Sequence, residues 1–361
     1  MNLPSHGSNP HYLYEAMGRT LPKHYIDFSA NINPFGPPPE LNDQWQNFFQ
    51  EIMVYPDPHG LQLKERIARI ERTTVDNLLI GNGGAELIAL VARMMAGKKV
   101  CIVEPTFSEY ETACRANHCE ILYHQLVEPD FSLNPHSFCS MLDEVDALFL
   151  CNPNNPTGIY YQTSTILSII EACEKCDCLV ILDEAFFDFL IDYDSLIPYI
   201  NKYENLLIIR SMTKMYAIPG IRLGYLIAWP TIISKLRGLQ SQWNTNTIAL
   251  MTGEICLQNE SFVQKTQLFI SSERKRLFDF FKQSAYVFTQ SEVNFYLLRD
   301  PLLDKQLLLF EFLLDRGMIP RHTMNFPGIE GRWLRFAIKG AEDNNQLMEA
   351  LSIWRKHHSS L

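Results

Sequence analysis

The chain has 361 residues, 47% of them hydrophobic, so it can bury a large core, and we expect it to form two lobes. Its formal net charge of −10, without any run of basic residues, argues against a nucleic-acid surface. Residues Met1 to Tyr12 lack the basic start and apolar stretch of a secretory signal, and no apolar run approaches the roughly eighteen residues of a membrane span. We therefore expect a cytoplasmic protein that binds neither nucleic acid nor membrane.

The predicted elements begin after the proline-rich segment Asn33 to Pro39, which ends an N-terminal arm. From Leu61 to about residue 258, helices alternate with short apolar runs. This alternation predicts an α/β fold with a mostly parallel sheet that helices cover on both faces. The strands predicted for this sheet are Lys99 to Val103, Ala147 to Cys151, Leu179 to Asp183, Leu206 to Arg210 and Tyr225 to Ala228.

A long amphipathic helix from about Glu260 leads into a mixture of strands and helices, which is typical of a smaller α+β lobe. The segments after this helix are Val293 to Leu298, Leu302 to Leu314, Trp333 to Ile338 and a final helix near Asn345 to Lys356. We expect a ligand site between the two lobes.

The nine cysteines are expected to be reduced thiols, because their number is odd and the chain shows no signal peptide. Cys173, Cys176 and Cys178 have a spacing that could supply part of a zinc or iron–sulfur site. No second cluster of cysteine or histidine lies nearby to complete four ligands, so we expect no metal. The three residues are instead placed at the buried end of the helix that precedes the strand Leu179 to Asp183.

Lys214 is the most informative residue, because Asp183 lies thirty-one positions before it and Arg222 eight positions after it. A lysine can bind an aldehyde cofactor covalently, an aspartate can keep a pyridine nitrogen protonated, and an arginine can form a fork on a phosphate. Each residue alone could be an ordinary surface or capping residue. All three lie at predicted strand ends, where open α/β sheets bind ligands, so together they predict a site for pyridoxal 5′-phosphate.

The order and spacing of these residues, with the polar turn Asn152 to Gly158, resemble the fold-type I aminotransferase superfamily of pyridoxal-phosphate enzymes. The resemblance implies a large domain of residues 48–258 and a small domain of residues 1–47 with 259–361. It also implies a homodimer, in which Tyr55 reaches the cofactor phosphate of the neighbouring subunit. In this reading Lys214 and Asp183 are the catalytic residues.

The same resemblance assigns further cofactor contacts. The loop Gly83 to Ala85 at a helix start would cradle the phosphate, although a plain helix-entry turn is the alternative. Tyr110 would stack on the pyridine ring, or else be a core aromatic. Asn155 would donate a hydrogen bond to the phenolic oxygen, or else only form a turn. The predicted cofactor set is Tyr55, Gly83, Gly84, Ala85, Tyr110, Asn155, Asp183, Phe186, Ser211, Thr213, Lys214 and Arg222.

The segment Ala30 to Pro34, the pair Tyr55-Pro56, and Arg321 with Arg335 resemble one branch of the superfamily. This branch contains histidinol-phosphate aminotransferases and threonine-phosphate decarboxylases. Aminotransferases of the branch carry Asp-x-x-Tyr, whose hydroxyl donates to the cofactor oxygen, whereas this chain has Phe186 at that position. The departure favours the decarboxylase, which makes aminopropanol phosphate for the cobalamin side chain. Three further segments favour it: Asp27 to Pro34, His6-Gly7 and Tyr216 to Gly220.

A small phosphorylated amino acid is the expected substrate. The resemblance implies that Arg321, Arg335 and His6 hold its anionic groups, and the remaining predicted contacts are Gly7, Asn31 and Asn155. His6 could instead belong to an unstructured tail, and Arg321 could be solvated. Histidinol phosphate with 2-oxoglutarate is the alternative substrate pair. A non-catalytic sensor with this fold is disfavoured, because the length and charge leave no room for a DNA-binding module.

Overall fold

The computed structural model of the chain describes residues 3–4 and 7–358, without the side chains of Cys139 and Ser140. His6, predicted to contact substrate, lies outside the described residues. The strands are β1 (Ile26–Asp27), β2 (Leu78–Gly81), β3 (Lys99–Glu104), β4 (Glu120–Gln125), β5 (Ala147–Cys151), β6 (Leu179–Asp183), β7 (Leu206–Ser211), β8 (Gly224–Ala228), β9 (Val287–Phe288), β10 (Phe295–Arg299), β11 (Met318–Ile319), β12 (Arg321–His322) and β13 (Leu334–Ala337).

Helices occupy most of the connections between these strands. They are α1 (Pro10–Ala16), α2 (Glu40–Asp43), α3 (Trp45–Glu51), α4 (Leu61–Glu71), α5 (Gly84–Met94), α6 (Glu109–Ala116), α7 (Cys139–Leu142), α8 (Thr163–Lys175), α9 (Met212–Met215), α10 (Pro230–Leu239), α11 (Thr247–Cys256), α12 (Glu260–Gln283), α13 (Leu307–Leu314) and α14 (Ala341–His358). No helix of the described chain is long and apolar enough to cross a bilayer.

The large sheet has the strand order β2-β8-β7-β6-β5-β3-β4. The strands from β4 through β7 pair in parallel, whereas β8 runs antiparallel to both of its neighbours. This confirms the mostly parallel sheet, although the apolar run of β8 did not indicate its direction. The edge strand β4 was not predicted, because its polar and partly exposed residues interrupt the apolar pattern.

Alternate residues of the central strands enter two separate cores, one on each face of the sheet. In β7, Leu206 and Ile208 belong to one core, while Leu207 and Ile209 belong to the other. Burial on both faces explains why these strands read as continuous apolar runs. The carboxyl ends of β5, β6 and β7 meet at one edge of the sheet, and the polar residues there are free to form a site.

A second, antiparallel sheet with the order β12-β13-β10-β9 forms from the C-terminal part of the chain. The N-terminal arm joins this region, because β1 pairs in parallel with β11 through Ile26 opposite Met318. The pairing supports the proposed composition of the small domain, and the domain boundaries themselves stay a prediction.

The cysteine cluster packs at the end of α8. Cys173 and Cys178 are buried, and the partly exposed Cys176 donates to Asp143 Oδ1 at 3.0 Å. Within residues 3–4 and 7–358, no group of three or more metal-ligating side chains is placed to hold a metal ion.

Candidate active site

A cavity of about 250 Å³ opens where the large sheet meets the C-terminal sheet. The predicted site residues that line it are Gly7, Asn31, Gly84, Ala85, Tyr110, Asn155, Asp183, Phe186, Ser211, Thr213, Lys214, Arg222 and Arg335. The other predicted residues that the structure describes lie outside this lining. Gly83 adjoins the wall, Arg321 lies behind it, and Tyr55 is on the outer surface.

Lys214 lies on the single-turn helix α9, directly after β7. Its carbonyl accepts the Asn33 N–H at 3.1 Å, which ties the N-terminal arm to the site. Burial, with the nearby Arg335 and Arg222 acting in the same direction and Asp183 in the opposite one, lowers the pKa of Lys214 to about 8. About a tenth of the amine is therefore neutral at pH 7, far more than for an ordinary lysine, and attack on an aldehyde requires this neutral form.

Asp183 is the last residue of β6, and its carboxyl group is fixed by two donors. Oδ1 accepts the Ala185 N–H at 2.9 Å, and Oδ2 accepts the Tyr110 hydroxyl at 2.6 Å. Burial raises the pKa of Asp183, while the Tyr110 bond, the Ala185 N–H and Lys214 act in the opposite direction. The remaining lone pairs can accept a hydrogen bond from a protonated ring nitrogen.

Tyr110 was predicted from its position to stack on the cofactor, and its ring does line the cavity. Its hydroxyl contact with Asp183 was not predicted from the sequence. Burial, followed by the charge of Asp183, raises the pKa of Tyr110 well above its usual value, so the hydroxyl stays a donor. The stacking role itself stays a prediction.

A phosphate cradle forms around the start of α5. Gly83 has φ +80°, and a Cβ at this position would lie 2.6 Å from Arg222 Nη2, so only glycine admits the guanidinium. Arg222 Nη1 donates to the Pro219 carbonyl at 3.1 Å. The Ser211 and Thr213 hydroxyl oxygens lie 2.9 Å apart. Helix N–H groups, hydroxyls and a guanidinium together form a site suited to a phosphate.

Arg335 of β13 connects the cofactor region to the N-terminal arm. Its Nη1 donates to Asn155 Oδ1 at 2.5 Å, and its Nη2 donates to the Ser29 carbonyl at 2.8 Å. Because Asn155 Oδ1 is occupied, Nδ2 is left to donate to a ligand oxygen. Burial, with a smaller effect of Arg321, lowers the pKa of Arg335 to about 9.

Two buried polar atoms at this end have no hydrogen-bond partner among the described residues. They are Arg335 Nε and Asn31 Oδ1. Buried polar groups in native proteins are almost always paired, so these atoms indicate a polar ligand. Together with the cradle, Lys214 and Asp183, they fit a phosphorylated aldehyde cofactor and an anionic substrate.

Arg321 lies opposite Arg335 in the antiparallel pair β12–β13, and it is 4% exposed, so the solvated alternative is wrong. Its Nη2 donates to Asn325 Oδ1 at 2.5 Å, and its Nη1 donates to the Pro4 carbonyl at 3.3 Å. Burial lowers the pKa of Arg321 to about 10. Arg321 thus contacts the N-terminal segment rather than the cavity.

Residues of the N-terminal arm form part of the cavity wall. Gly7 and Ser8 line it, and the Ser8 N–H donates to Ser29 Oγ at 2.9 Å. Ser29 in turn is held by Asp27, whose Oδ1 accepts both the N–H and the hydroxyl of Ser29. The sequence pattern pointed to the segment Asp27 to Pro34 but did not identify Ser29 as a site residue. The contact of the Ser29 carbonyl with Arg335 depends on tertiary structure, which the sequence pattern does not reveal.

Phe186 closes another part of the wall. Its ring is buried and meets Phe295 edge-on, with ring centroids 4.7 Å apart. An apolar surface therefore lies where the aminotransferases of the resembled branch carry a hydroxyl.

Cys151, the buried last residue of β5, also lines the cavity. It was not identified from the sequence as a site residue, although its position at the end of a strand was a signal that could have been used.

Comparisons with known proteins agree with this geometry. The family model for aminotransferase class I and II matches residues 23–352. The threonine-phosphate decarboxylase of Salmonella typhimurium is 33% identical over 350 residues, covering 96% of this chain and 95% of that protein. The histidinol-phosphate aminotransferase of Bacillus cytotoxicus is 28% identical over 341 residues, covering 92% of this chain and 90% of that protein.

Among solved structures, the histidinol-phosphate aminotransferase of Clostridium acetobutylicum is 29% identical, with a TM-score of 0.86. The match covers 91% of this chain and 99% of that chain. The similarity thus extends over both sheets and the cavity between them. This chain belongs to the aminotransferase class I and II family, it is an enzyme of fold type I, and its cofactor is pyridoxal 5′-phosphate.

Proposed function

We propose that this enzyme decarboxylates L-threonine O-3-phosphate to aminopropanol O-phosphate, a reaction of cobalamin biosynthesis. The observation that carries the proposal is Phe186, packed on Phe295 where related aminotransferases have a hydroxyl donor. A carboxylate held against this apolar surface would lose hydration, which favours its departure as neutral carbon dioxide, and the bonding electrons left at the α-carbon would pass to the cofactor's electron sink. The relative from Salmonella, whose name is threonine-phosphate decarboxylase, supports the same reading.

The cofactor, when bound, supplies an electron sink for a bond that breaks at the substrate α-carbon. Asp183 keeps the pyridine nitrogen protonated by its fixed carboxylate. Lys214 would hold the aldehyde covalently, and once the substrate amine had displaced it, its amine, protonated by the substrate ammonium group, would donate a proton to the α-carbon that the carboxylate leaves. Asn155 offers its Nδ2 donor to the phenolic oxygen, since Arg335 occupies its Oδ1.

The substrate's two anionic groups determine which bond breaks. Of the bonds at the α-carbon, the one perpendicular to the cofactor ring would break, because only its electrons can enter the π system of the ring. Arg335, with Nε still available, would hold the phosphate, and Arg321 behind it, bonded to the Pro4 carbonyl, would add positive charge to this end. With the phosphate fixed there, the carboxylate is free to stand perpendicular to the ring.

Histidinol-phosphate aminotransferase is the second candidate. It is favoured by the relative from Bacillus cytotoxicus and by the structural match to the enzyme from Clostridium acetobutylicum. Both candidate substrates carry a phosphate, so the arginines serve either reaction. In transamination, Lys214 would instead take the proton from the α-carbon and deliver it to the cofactor.

A surface patch of apolar side chains supports a homodimer. Its members are Trp45, Phe49, Ile52, Met53, Val54, Tyr55 and Trp243, all exposed. Tyr55 is 80% exposed and packs on Trp243, with ring centroids 5.1 Å apart. Exposed apolar patches of this kind usually mark interaction sites. We propose that a second copy covers the patch and that Tyr55 contacts the partner's cofactor phosphate.

The cytoplasmic location of the enzyme stays a prediction.

The test of the proposed reaction uses two parallel assays of the purified holoenzyme. O-Phosphothreonine is supplied alone, and histidinol phosphate is supplied with and without 2-oxoglutarate. We expect carbon dioxide from O-phosphothreonine without any oxo-acid, and no transfer of the amino group. Conversion of histidinol phosphate only in the presence of 2-oxoglutarate, with no carbon dioxide from O-phosphothreonine, would show that the aminotransferase is correct.

A further inference from the structure

A cluster of charges around the buried Arg210 and Glu184 lies behind the active site, on the other side of the sheet edge. Arg210 is 3% exposed, and its Nε donates to Glu184 Oε2 at 2.7 Å. Its Nη1 donates to Asp188 Oδ1 at 3.1 Å, and its Nη2 donates to Ser195 Oγ at 3.1 Å. Glu71 Oε1, 4.0 Å from Arg210 Nη1, accepts the Tyr225 hydroxyl at 2.6 Å. We call these residues the Arg210 cluster.

The position of this cluster in the chain connects it to the cofactor site. Glu184 directly follows Asp183 at the end of β6, and Arg210 directly precedes Ser211 at the end of β7. Side chains alternate along a strand, so Glu184 and Arg210 point to the face opposite Asp183 and Ser211. The charged bond between them therefore joins the two strand ends that deliver Asp183 and Lys214.

The Arg210 cluster contains more acidic than basic groups. Three carboxyl groups, on Glu71, Glu184 and Asp188, surround one guanidinium, and burial raises the pKa of Glu184 to about 7 despite Arg210. Buried ion pairs are costly to desolvate, and apolar residues of similar volume often stabilise a fold as well or better. Stability alone is therefore a weak reason for such a cluster. A directional bond between two strand ends gives a geometric reason instead.

We infer that Arg210 is a positioning residue, which through Glu184 and Asp188 fixes the separation of the strand ends carrying Asp183 and Lys214. Asp188 extends the contact beyond β6, and the Arg210 guanidinium also lies 4.2 Å from the centre of the Phe187 ring. The inference rests on the proposed roles of Asp183 and Lys214 in holding the cofactor. It does not depend on whether decarboxylation or transamination follows.

The experiment compares Arg210→Lys and Glu184→Gln with Arg355→Met. The two cluster variants keep side-chain size but weaken the directional bond. Arg355 is a matched control, because it also bonds a buried carboxyl, Asp300 Oδ1 at 2.8 Å, far from the cavity. Four quantities are measured: the cofactor dissociation constant, the pH midpoint of the bound cofactor's absorption change, kcat with KM, and the thermal midpoint of the cofactor-free protein.

We expect both cluster variants to lower cofactor affinity and kcat by about tenfold or more, with KM changed less, because small displacements of reacting groups are costly. The pH midpoint should also move, since it reports the surroundings of the Lys214 amine. Arg355→Met should lower the thermal midpoint without these changes. Cluster variants that lose only thermal stability, like Arg355→Met, would overturn the inference.

One further measurement separates this inference from the site assignment. Borohydride reduction of the wild-type holoenzyme, followed by peptide mapping, should label Lys214. A label on another lysine overturns the site assignment and the positioning role with it. A label on Lys214, with wild-type affinity, midpoint and kcat in Arg210→Lys and Glu184→Gln, overturns the positioning role alone.

Discussion

The two ends of the cavity are built in different ways. At the cofactor end, Asp183, Lys214 and Arg222 come from one continuous stretch of chain, residues 183–222, and the Asp183 carboxyl already has two donors. At the substrate end, Arg335 and Asn31 come from distant parts of the chain, and each keeps a buried atom without a partner among the described residues. The Asp183 carboxyl is thus oriented by donors of the protein itself, whereas Arg335 and Asn31 keep atoms that a ligand can pair.

The largest expected effect tests the cofactor end. Lys214→Ala should abolish turnover and the reducible covalent bond to the cofactor. Lys64 is the matched control, because it is also buried and its pKa is likewise lowered to about 8 by burial. Lys64→Ala should retain the borohydride label and turnover. Loss of the label in Lys64→Ala, or its retention in Lys214→Ala, would show that the reactive lysine is misassigned.

Asp183→Asn keeps the shape of the cofactor end but removes its charge. A hydrogen bond to a charged group is worth about 1.5 to 3 kcal/mol, so kcat should fall by about tenfold to a hundredfold. Steady-state kinetics at saturating cofactor measure the change. A loss smaller than about tenfold would mean that Asp183 does not keep the ring nitrogen protonated.

Two arginine variants test whether the ends act separately. Arg335→Lys exchanges a planar fork for a point charge, so KM for O-phosphothreonine should rise by about tenfold with little change in cofactor affinity. Arg222→Lys is the converse variant and should weaken the cofactor more than the substrate. Equal effects of both variants on both ligands would remove the distinction between the two ends.

The pH dependence of cofactor capture gives a smaller effect. The lowered pKa of Lys214, about 8, means that its neutral, reactive form is lost as the pH falls through 8. The rate at which cofactor-free protein binds pyridoxal phosphate should fall by about fivefold from pH 8 to pH 7 and level off above pH 8. Stopped-flow absorbance measures this rate. A midpoint near the ordinary lysine value would contradict the lowered pKa.

The smallest effect concerns the Tyr110 hydroxyl. Tyr110→Phe keeps the ring and removes the 2.6 Å bond to Asp183, leaving the Ala185 N–H as the other donor. The hydroxyl only orients the carboxylate, which keeps its charge and its bond from the Ala185 N–H, so kcat should fall only about threefold, or roughly 0.7 kcal/mol. Phe107→Leu, another change of an aromatic in the wall, serves as control. A loss as large as that of Asp183→Asn would give the hydroxyl a direct part in catalysis.

The difference between the cofactor end and the substrate end also explains which features the sequence could predict. Lys214, Asp183 and Arg222 were identified because their chemistry and spacing are local, and the central strands because burial on both faces makes them continuously apolar. The direction of β8 and the edge strand β4 were missed, since neither is encoded in an apolar run. Ser29 and the Tyr110 hydroxyl were missed because their roles arise from contacts between distant segments.

The pairing of β1 with β11 has a consequence for how the enzyme is made. Ile26 pairs with Met318, and Asn33 bonds to the Lys214 carbonyl, so the arm is translated early but finds its strand partner only near the end of synthesis. Such a long-range pairing closes a large loop and is slow to form. On the ribosome, the arm must therefore wait until the C-terminal sheet has emerged. Arg335, which also belongs to this sheet and bonds the Ser29 carbonyl of the arm, can complete the substrate end only after that point.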